Sequence, residues 1–380
     1  MPVKIQINKT KVPIKIWNDN VESLTIDQAT VIADTMPVVS HVALMPDCHL
    51  GVGMPIGGVV VLDNAICPNM VGADIGCGMM AVKTNITDVD IMTLRAIVQQ
   101  VKRDVPVGFN KRSESVEWEG FDRTPDFDII QQELDNSRVS LGTLGGGNHF
   151  QEIQKGSDGF IWFMIHSGSR NFGYKIAEHY QRIAVEKGIV SNGNRQLAYF
   201  DFNSDIGQEY FQAMNFAMEF AQENRNVMAN FVKKAFTDVC EYATFDNAVN
   251  IHHNYAEDIG YGQILHRKGA TKATKDTIGI IPGSQGSCSY IVKGLGNKES
   301  FESCSHGAGR LMSRTKAKKL LDRDSCEQQM KDMGLELHQT MGLDEATAAY
   351  KDIKYVMECQ SDLVEILVEL KPYKISAIKG

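Results

Sequence analysis

Apolar and polar positions alternate in short runs through the first part of the chain and settle into helical spacing only later. Residues 40–85 are β-branched runs broken by Gly and Pro, which predicts strands and tight loops with little helix. Residues 88–104 predict a helix, and the polar stretch 105–127 an exposed loop. LGTLGGGNHFQEI (141–153) is a glycine turn leading into a strand, and GFIWFMIHSGSRNFG (159–173) is an apolar strand ending in His166 and a loop of small residues. From Asp205 to Cys240, Met214, Met218, Ala221, Met228, Phe231 and Ala235 recur at three- to four-residue spacing or its multiples. That periodicity predicts one long amphipathic helix whose methionines pack in the core. Residues 277–294 return to strand and glycine loop, and 312–331 and 344–370 predict helices. No repeat, low-complexity tract or linker interrupts the pattern. The expected fold class is α+β, with residues 1–380 as one domain.

Composition narrows the class without naming a chemistry. A chain of 380 residues with 43% hydrophobic and 23% charged residues has the make-up of a globular protein with a sizeable core. No run approaches the roughly 20 apolar residues of a membrane helix, and the N-terminus lacks the apolar core of a secretory signal, so a cytoplasmic location is expected. The eight cysteines (48, 67, 77, 240, 288, 304, 326 and 359) form no CxxC pair and read as reduced thiols, most of them small buried hydrophobes.

The net charge of −8 argues against a general polyanion binder, yet the charge is uneven. Between Gln263 and Lys319 eleven Lys/Arg face three acids, a net of +8 that leaves −16 for the remainder. A basic field on an acidic body suggests a phosphate-bearing ligand held at one place. The same segment contains SCSHGAGRLMSR (303–314), a glycine loop led by His306 where a phosphate loop would usually carry Lys or Arg.

Metal-capable side chains recur at the ends of apolar runs and in glycine loops. GADIGCG offers Asp74 and Cys77, GGGNHF offers His149, MIHSGSR offers His166, NIHHN offers His252 and His253, and MPDCH offers Asp47, Cys48 and His49. A lone histidine at a strand end is more often structural. Several together are different, because strand ends let a scaffold aim donors at a shared cleft. One thiolate, one carboxylate and three imidazoles suit Zn, Mn, Fe or Co, and a bridging thiolate lets five donors hold two ions. Spacing adds little, since no donor pair lies at i, i+4 as in HExxH; from the donor set by itself the chain reads as a metallohydrolase.

Taken in order, MPDCHLG…PIGG, ADIGCGM, GTLGGGNHFQEI, HSGSR, HHN, RKGA, PGSQGSCSYIV, SCSHGAGRLMSRTKAKK and a terminal IKG resemble the RtcB family, the GTP- and Mn-dependent RNA-splicing ligases, from about residue 40 to residue 380. The resemblance implies one α+β domain with a fold particular to that family, its central sheets carrying metal ligands at strand ends and in Gly-rich loops, surrounded by helices. It implies joining of RNA 2′,3′-cyclic phosphate or 3′-phosphate ends to 5′-hydroxyl ends, in RNA splicing or repair. Two manganese ions and GTP are the implied cofactors. Asp74, Cys77 and His149 match the ligands of one ion; Cys77, as a bridge, with His166 and His253 match those of the second. His306 matches the histidine that takes GMP.

The guanylate site carries over to Asn148, His149, Glu152, His253 and Asn254 on one side. From the glycine loops it takes Pro282, Gly283, Ser284, Gln285 and Ser289, then His306, Gly307, Ala308 and Gly309, and finally Lys379. Asp47 is read either as the partner of the second His306 nitrogen, fixing its tautomer as the acid of a triad does, or as a turn-former. Arg310, Arg314, Lys316, Lys318 and Lys319 are expected to hold RNA phosphates, and Cys304 is expected to be inert packing. GGGNH in place of GSGNH or GTGNH, Asn171 for Gly and Gln285 for Met depart from the family pattern without touching a ligand or His306. The competing readings are a metal-dependent RNA-end phosphoesterase on the same scaffold and a non-catalytic RNA- or ribosome-associated protein.

Overall fold

In the computed structural model, which describes residues 3–380, most strands gather in two sheets. The first runs, in spatial order, Ile5–Ile7, Ile14–Ile16, Val38–His49, Ile56–Asp63, Gln263–Lys268 and Asn254–Asp258. The second runs Val249–His252, Gly78–Lys83, Ile161–Ser167, Phe150–Gly156, Val364–Pro372, Ser289–Gly294 and Ile278–Ile281, with Ile378–Lys379 also paired to Phe150–Gly156. Every pairing in them is antiparallel except Ile14–Ile16 against Val38–His49. Val249–His252 closes one edge of the second sheet and Asn254–Asp258 opens one edge of the first. His253 is the single residue between them, so the chain changes sheets at a histidine.

Burial explains the strand patterns. Ile161–Ser167 is buried at every position and therefore reads as a continuous apolar run instead of an alternating one. Residues 40–85 form strands and tight loops as expected, with helix only at Pro68–Val71.

The long helix is Asp205–Val239, 35 residues, about 50 Å at 1.5 Å per residue. Ser204 Oγ caps it by accepting the Gly207 N–H at 3.1 Å. Its first half packs Met214, Ala217 and Phe220 against Phe172 and Tyr180, and its second half packs Met228, Val232 and Phe236 under the second sheet. The methionines are core, as the periodicity predicts. Truncating a fully buried Met228 or Phe236 to Ala would cost about 2–5 kcal/mol.

Three expectations need correction. Residues 105–127 are irregular apart from a short 3-10 turn, but they are not simply exposed: Phe121 is buried and Trp118 packs edge-on against it and against Phe220. The 312–331 segment is two helices, Arg314–Leu320 and Arg323–Asp332, because Asp322 accepts the Ser325 N–H at 2.8 Å and starts a new helix. The 344–370 segment holds only a seven-residue helix, Ile353–Cys359, before the strand Val364–Pro372. Leu363, Ile366, Leu367 and Leu370 fall at helical spacing, yet pairing with Ser289–Gly294 and Phe150–Gly156 on either side overrides it. The helices Asp128–Ser140 and Arg170–Lys187 were not foreseen. Among the described residues no helix is long and apolar enough to cross a membrane.

Candidate active site

The donor loops converge where the two sheets meet. Cys77 lies just before Gly78–Lys83, His166 near the end of its antiparallel neighbour Ile161–Ser167, and His149 just before Phe150–Gly156. Cys77 Sγ lies 3.3 Å from His166 Nε2 and 3.4 Å from His149 Nε2, and His149 Nε2 lies 3.2 Å from Asp74 Oδ2. Two groups of donor atoms each fall within 4.8 Å: Asp74, Cys77 and His149, and Cys77, His166 and His253. Cys77 is common to both, as a bridging thiolate requires.

The imidazoles are set up to accept an ion. His149 Nδ1 lies 2.9 Å from Leu144 O and His166 Nδ1 3.2 Å from Asn148 O. Each carbonyl takes the Nδ1 proton and leaves the Nε2 lone pair facing Cys77. His253 Nδ1 is buried with no hydrogen-bond partner, an orphaned polar atom that a cation would satisfy. Burial, with neighbouring histidines, pushes His166 and His253 well below the usual histidine range, so both rings are neutral. Burial and Asp74 push the Cys77 thiol well above its ordinary value, a penalty that a bound cation reverses. These donors fit a borderline divalent ion. His252 is not among them: its ring turns to Gly76 O at 2.9 Å and Arg225 at 3.2 Å.

His306 stands next to this cluster, its ring 4.9 Å from that of His253. It follows the strand Ser303–Ser305, which pairs with Ala270–Lys272. Its Nδ1 lies 2.6 Å from Asp47 Oδ2, a close contact that runs oblique to the ring N–H. The same carboxylate oxygen accepts the His306 backbone N–H at 3.1 Å. Gly309 has φ +73°, and a Cβ there would sit 2.2 Å from Asp47 O, so this turn of the loop needs glycine.

Beyond His306 opens a cavity of about 250 Å³. Asn148, Glu152, Pro282 to Gln285, Ser289 and Gly307 to Gly309 line it, with Lys379 brought to its wall by the Ile378–Lys379 pairing. Burial raises the Glu152 carboxyl to about 7 and lowers Lys379. Asn254 is not on the wall. Its amide donates to Asp74 O at 3.1 Å and accepts the Gly269 N–H at 2.8 Å, so it braces the donor loop instead.

Some wall residues were not legible in sequence. Glu345 is buried, with Arg310 at 3.3 Å, Arg314 at 3.6 Å and Lys379 at 3.8 Å, and with the Tyr350 hydroxyl donating to it. His49, already a donor candidate, lines the cavity and joins no metal group. The basic segment is not one field: Arg267 is buried against Glu257, and Lys268 donates to the carbonyls of Val52 and Asn69. Cys304 is buried, its thiol pushed far up by burial, as expected of inert packing. All eight cysteines are free.

The family model described as tRNA-splicing ligase RtcB matches residues 28–126 and 113–380. The chain is 37% identical to the RNA-splicing ligase RtcB of Escherichia coli K12, over 97% of each chain. It is 33% identical to RNA-splicing ligase RtcB homolog 1 of Entamoeba histolytica, over 91% of this chain and 82% of that one. With the tRNA-splicing ligase RtcB of Nanoarchaeum equitans it shares 31% identity, over 98% and 96%.

Proposed function

The chain belongs to the RtcB family and is an RNA ligase, and from that premise we propose that it joins 2′,3′-cyclic phosphate or 3′-phosphate RNA ends to 5′-hydroxyl ends through a histidine–GMP intermediate. The contact of His306 Nδ1 with buried Asp47, beside the donor cluster and at the cavity mouth, carries this reading.

Asp47 holds a proton on Nδ1 and leaves Nε2 with its lone pair. Nε2 attacks the α-phosphorus of GTP, an N–P bond forms, and pyrophosphate departs with the electron pair of the broken P–O bond. A cyclic end is first opened by water, which breaks the P–O2′ bond and leaves a 2′-hydroxyl and a 3′-phosphate; an oxygen of the RNA 3′-phosphate then takes GMP from His306, which restores the imidazole and creates a phosphoanhydride. The 5′-hydroxyl of the second RNA end attacks the activated 3′-phosphate, losing its proton, and GMP leaves. Small residues at Gly307, Ala308 and Gly309 let the phosphates approach the backbone.

Asp74, Cys77 and His149 would hold one divalent ion and Cys77, His166 and His253 the other. Two manganese ions there would neutralise charge developing on the α-phosphate. On the cavity wall the Glu152 carboxylate could accept both N1–H and N2–H of guanine, whereas adenine would offer it an acceptor at N1, a difference that would select GTP. Residues 1–380 act as one catalytic domain, since the donors gather at the second sheet while a strand of the first carries Asp47 to His306. Its eight free cysteines suit the reducing cytoplasm.

Incubation with GTP labelled at the α-phosphate and Mn²⁺ tests the reading. It predicts an acid-labile protein–GMP adduct that disappears in His306→Ala. Opening of cyclic phosphates without any adduct would move the assignment to a phosphoesterase.

A further inference from the structure

Two adjacent side chains of the helix Asp205–Val239, Asn224 and Arg225, are fully buried and line neither the cavity nor the donor cluster. Between them they touch every loop that carries a donor. Arg225 Nη1 donates to Gly76 O at 3.1 Å and to Ser167 O at 2.9 Å. These carbonyls belong to the residue before Cys77 and the residue after His166. Arg225 Nη2 lies 3.2 Å from Nδ1 of His252, the residue before His253, and Nε donates to Asn250 Oδ1 at 2.7 Å in the same strand.

Asn224 covers the remaining loop. Its Oδ1 accepts the N–H groups of Gly142 and Thr143, at 2.8 and 3.1 Å, in the turn that leads to His149. Its Nδ2 donates to Thr143 O, Ser167 Oγ and Gly168 O, each at 3.1 Å. The backbone is shaped to admit these contacts: a Cβ on Gly78 would lie 1.9 Å from Ile251 O and 3.1 Å from Arg225 Nη1.

A guanidinium this deep, with no carboxylate at ion-pair distance among the described residues, is costly unless its donors are used. Here Nη1 is used on two backbone carbonyls next to metal donors, and Nη2 and Nε on side chains of the strand that leads to His253. Cysteine and histidine have one and two side-chain torsions, so fixing the flanking backbone largely fixes where Sγ and the ring nitrogens sit. Arginine's rigid fork can bridge three loops, which a single lysine ammonium cannot.

We propose that Asn224 and Arg225 are positioning residues that preassemble the metal centre, holding the four donor loops at binding separation from one helix. The inference rests on reading the Asp74, Cys77, His149, His166 and His253 cluster as a metal centre. The wild-type arm of the test checks that reading separately.

The test titrates Co²⁺ alone into metal-stripped wild type, Arg225→Met, Arg225→Lys and Asn224→Asp. It reads the thiolate-to-cobalt absorption and ligand-field bands, with thermal melting of the metal-free proteins followed by circular dichroism. Wild type without a thiolate band defeats the metal-centre reading itself. The expected result is variants that still melt cooperatively but bind Co²⁺ about 10- to 100-fold more weakly, with altered ligand-field bands, the range for groups that orient metal ligands. Arg225→Lys failing alongside Arg225→Met shows that the fork, and not the charge, matters. Folded variants with wild-type affinity and spectrum overturn the proposal. So does loss of the folded state in both Arg225 variants without metal, which would make the role simply structural.

Discussion

His306 Nδ1 lies 2.6 Å from Oδ2 of Asp47, and that carboxylate is fully buried although the two residues are 259 positions apart. Lys351 fastens the strand around Asp47 by donating to Pro46 O and Cys48 O, at 3.2 and 2.7 Å. Burial alone would raise the Asp47 carboxyl, and His306, Lys351 and His49 together outweigh it and hold the group below its usual range. Of the two sequence readings for Asp47, the partner of His306 is the one a substitution can test.

Asp47→Asn is therefore expected to fold and bind GTP, since an amide oxygen can still accept the His306 N–H. It should form the GMP adduct at least about 100-fold more slowly, because the imidazolium-like charge in the transition state loses its counter-ion. Single-turnover adduct formation at saturating GTP measures this. An unchanged rate would return Asp47 to a structural role.

Removing the metal should loosen the protein as well as silence it. An ion that binds only the folded chain adds about 2.7 kcal/mol of stability at a hundred times its dissociation constant. Adding Mn²⁺ to chelator-treated protein should thus raise the melting temperature by several degrees. In Cys77→Ser the gain should shrink, since both groups of donors share that sulfur. Equal shifts in wild type and variant would show that the ion binds elsewhere.

Much of this centre was legible because each donor sits inside its own short motif, at a strand end or in a glycine loop. Asn224, Arg225 and Glu345 were not, because their work is done across the fold: Arg225 meets Gly76 149 positions away, and Glu345 meets Arg310 35 positions away. Val364–Pro372 was misread for a related reason. Its leucines and isoleucine satisfy a helical period, and only the strands on either side decide otherwise.

Glu152 gives a pH dependence whose sign follows from its raised value. Unfolded, a glutamate titrates near 4.5; here burial moves it to about 7, with Gln154 donating to it at 2.6 Å in partial opposition. Between these values the folded chain holds a proton that the unfolded chain has lost. The ligand-free protein therefore loses stability as pH rises from about 4.5 to 7, by roughly 3 kcal/mol at most. Glu152→Gln should be more stable than wild type at pH 8 and little different at pH 4.5. The same substitution should weaken GTP binding more at pH 8 than at pH 6, where wild type has already lost much of its carboxylate. Parallel stability profiles for the two proteins would place the buried charge elsewhere.

The basic residues after His306 divide by what they already touch, and this sharpens where RNA would lie. Arg310 is held by Glu345, Tyr350 and the Asp344 carbonyl, so its fork is committed to the cavity wall. Arg314 and Lys318 are exposed and only loosely paired, at 3.6 and 3.5 Å. Lys316 and Lys319 are exposed without an ion-pair partner among the described residues. The helix Arg314–Leu320 thus presents cations to solvent beside the cavity to which Arg314 belongs. Each phosphate neutralised on single-stranded RNA contributes about 0.7 to the slope of log affinity against log salt. Lys316→Ala with Lys319→Ala should weaken RNA binding, lower that slope by about 1.4, and leave adduct formation with GTP unchanged. Arg310→Ala should instead impair adduct formation at every salt concentration, because it releases Glu345 and the wall around it. Binding at increasing salt, measured beside adduct formation on the same preparations, separates the two roles. A salt slope unmoved by the double substitution would take the RNA path off this helix.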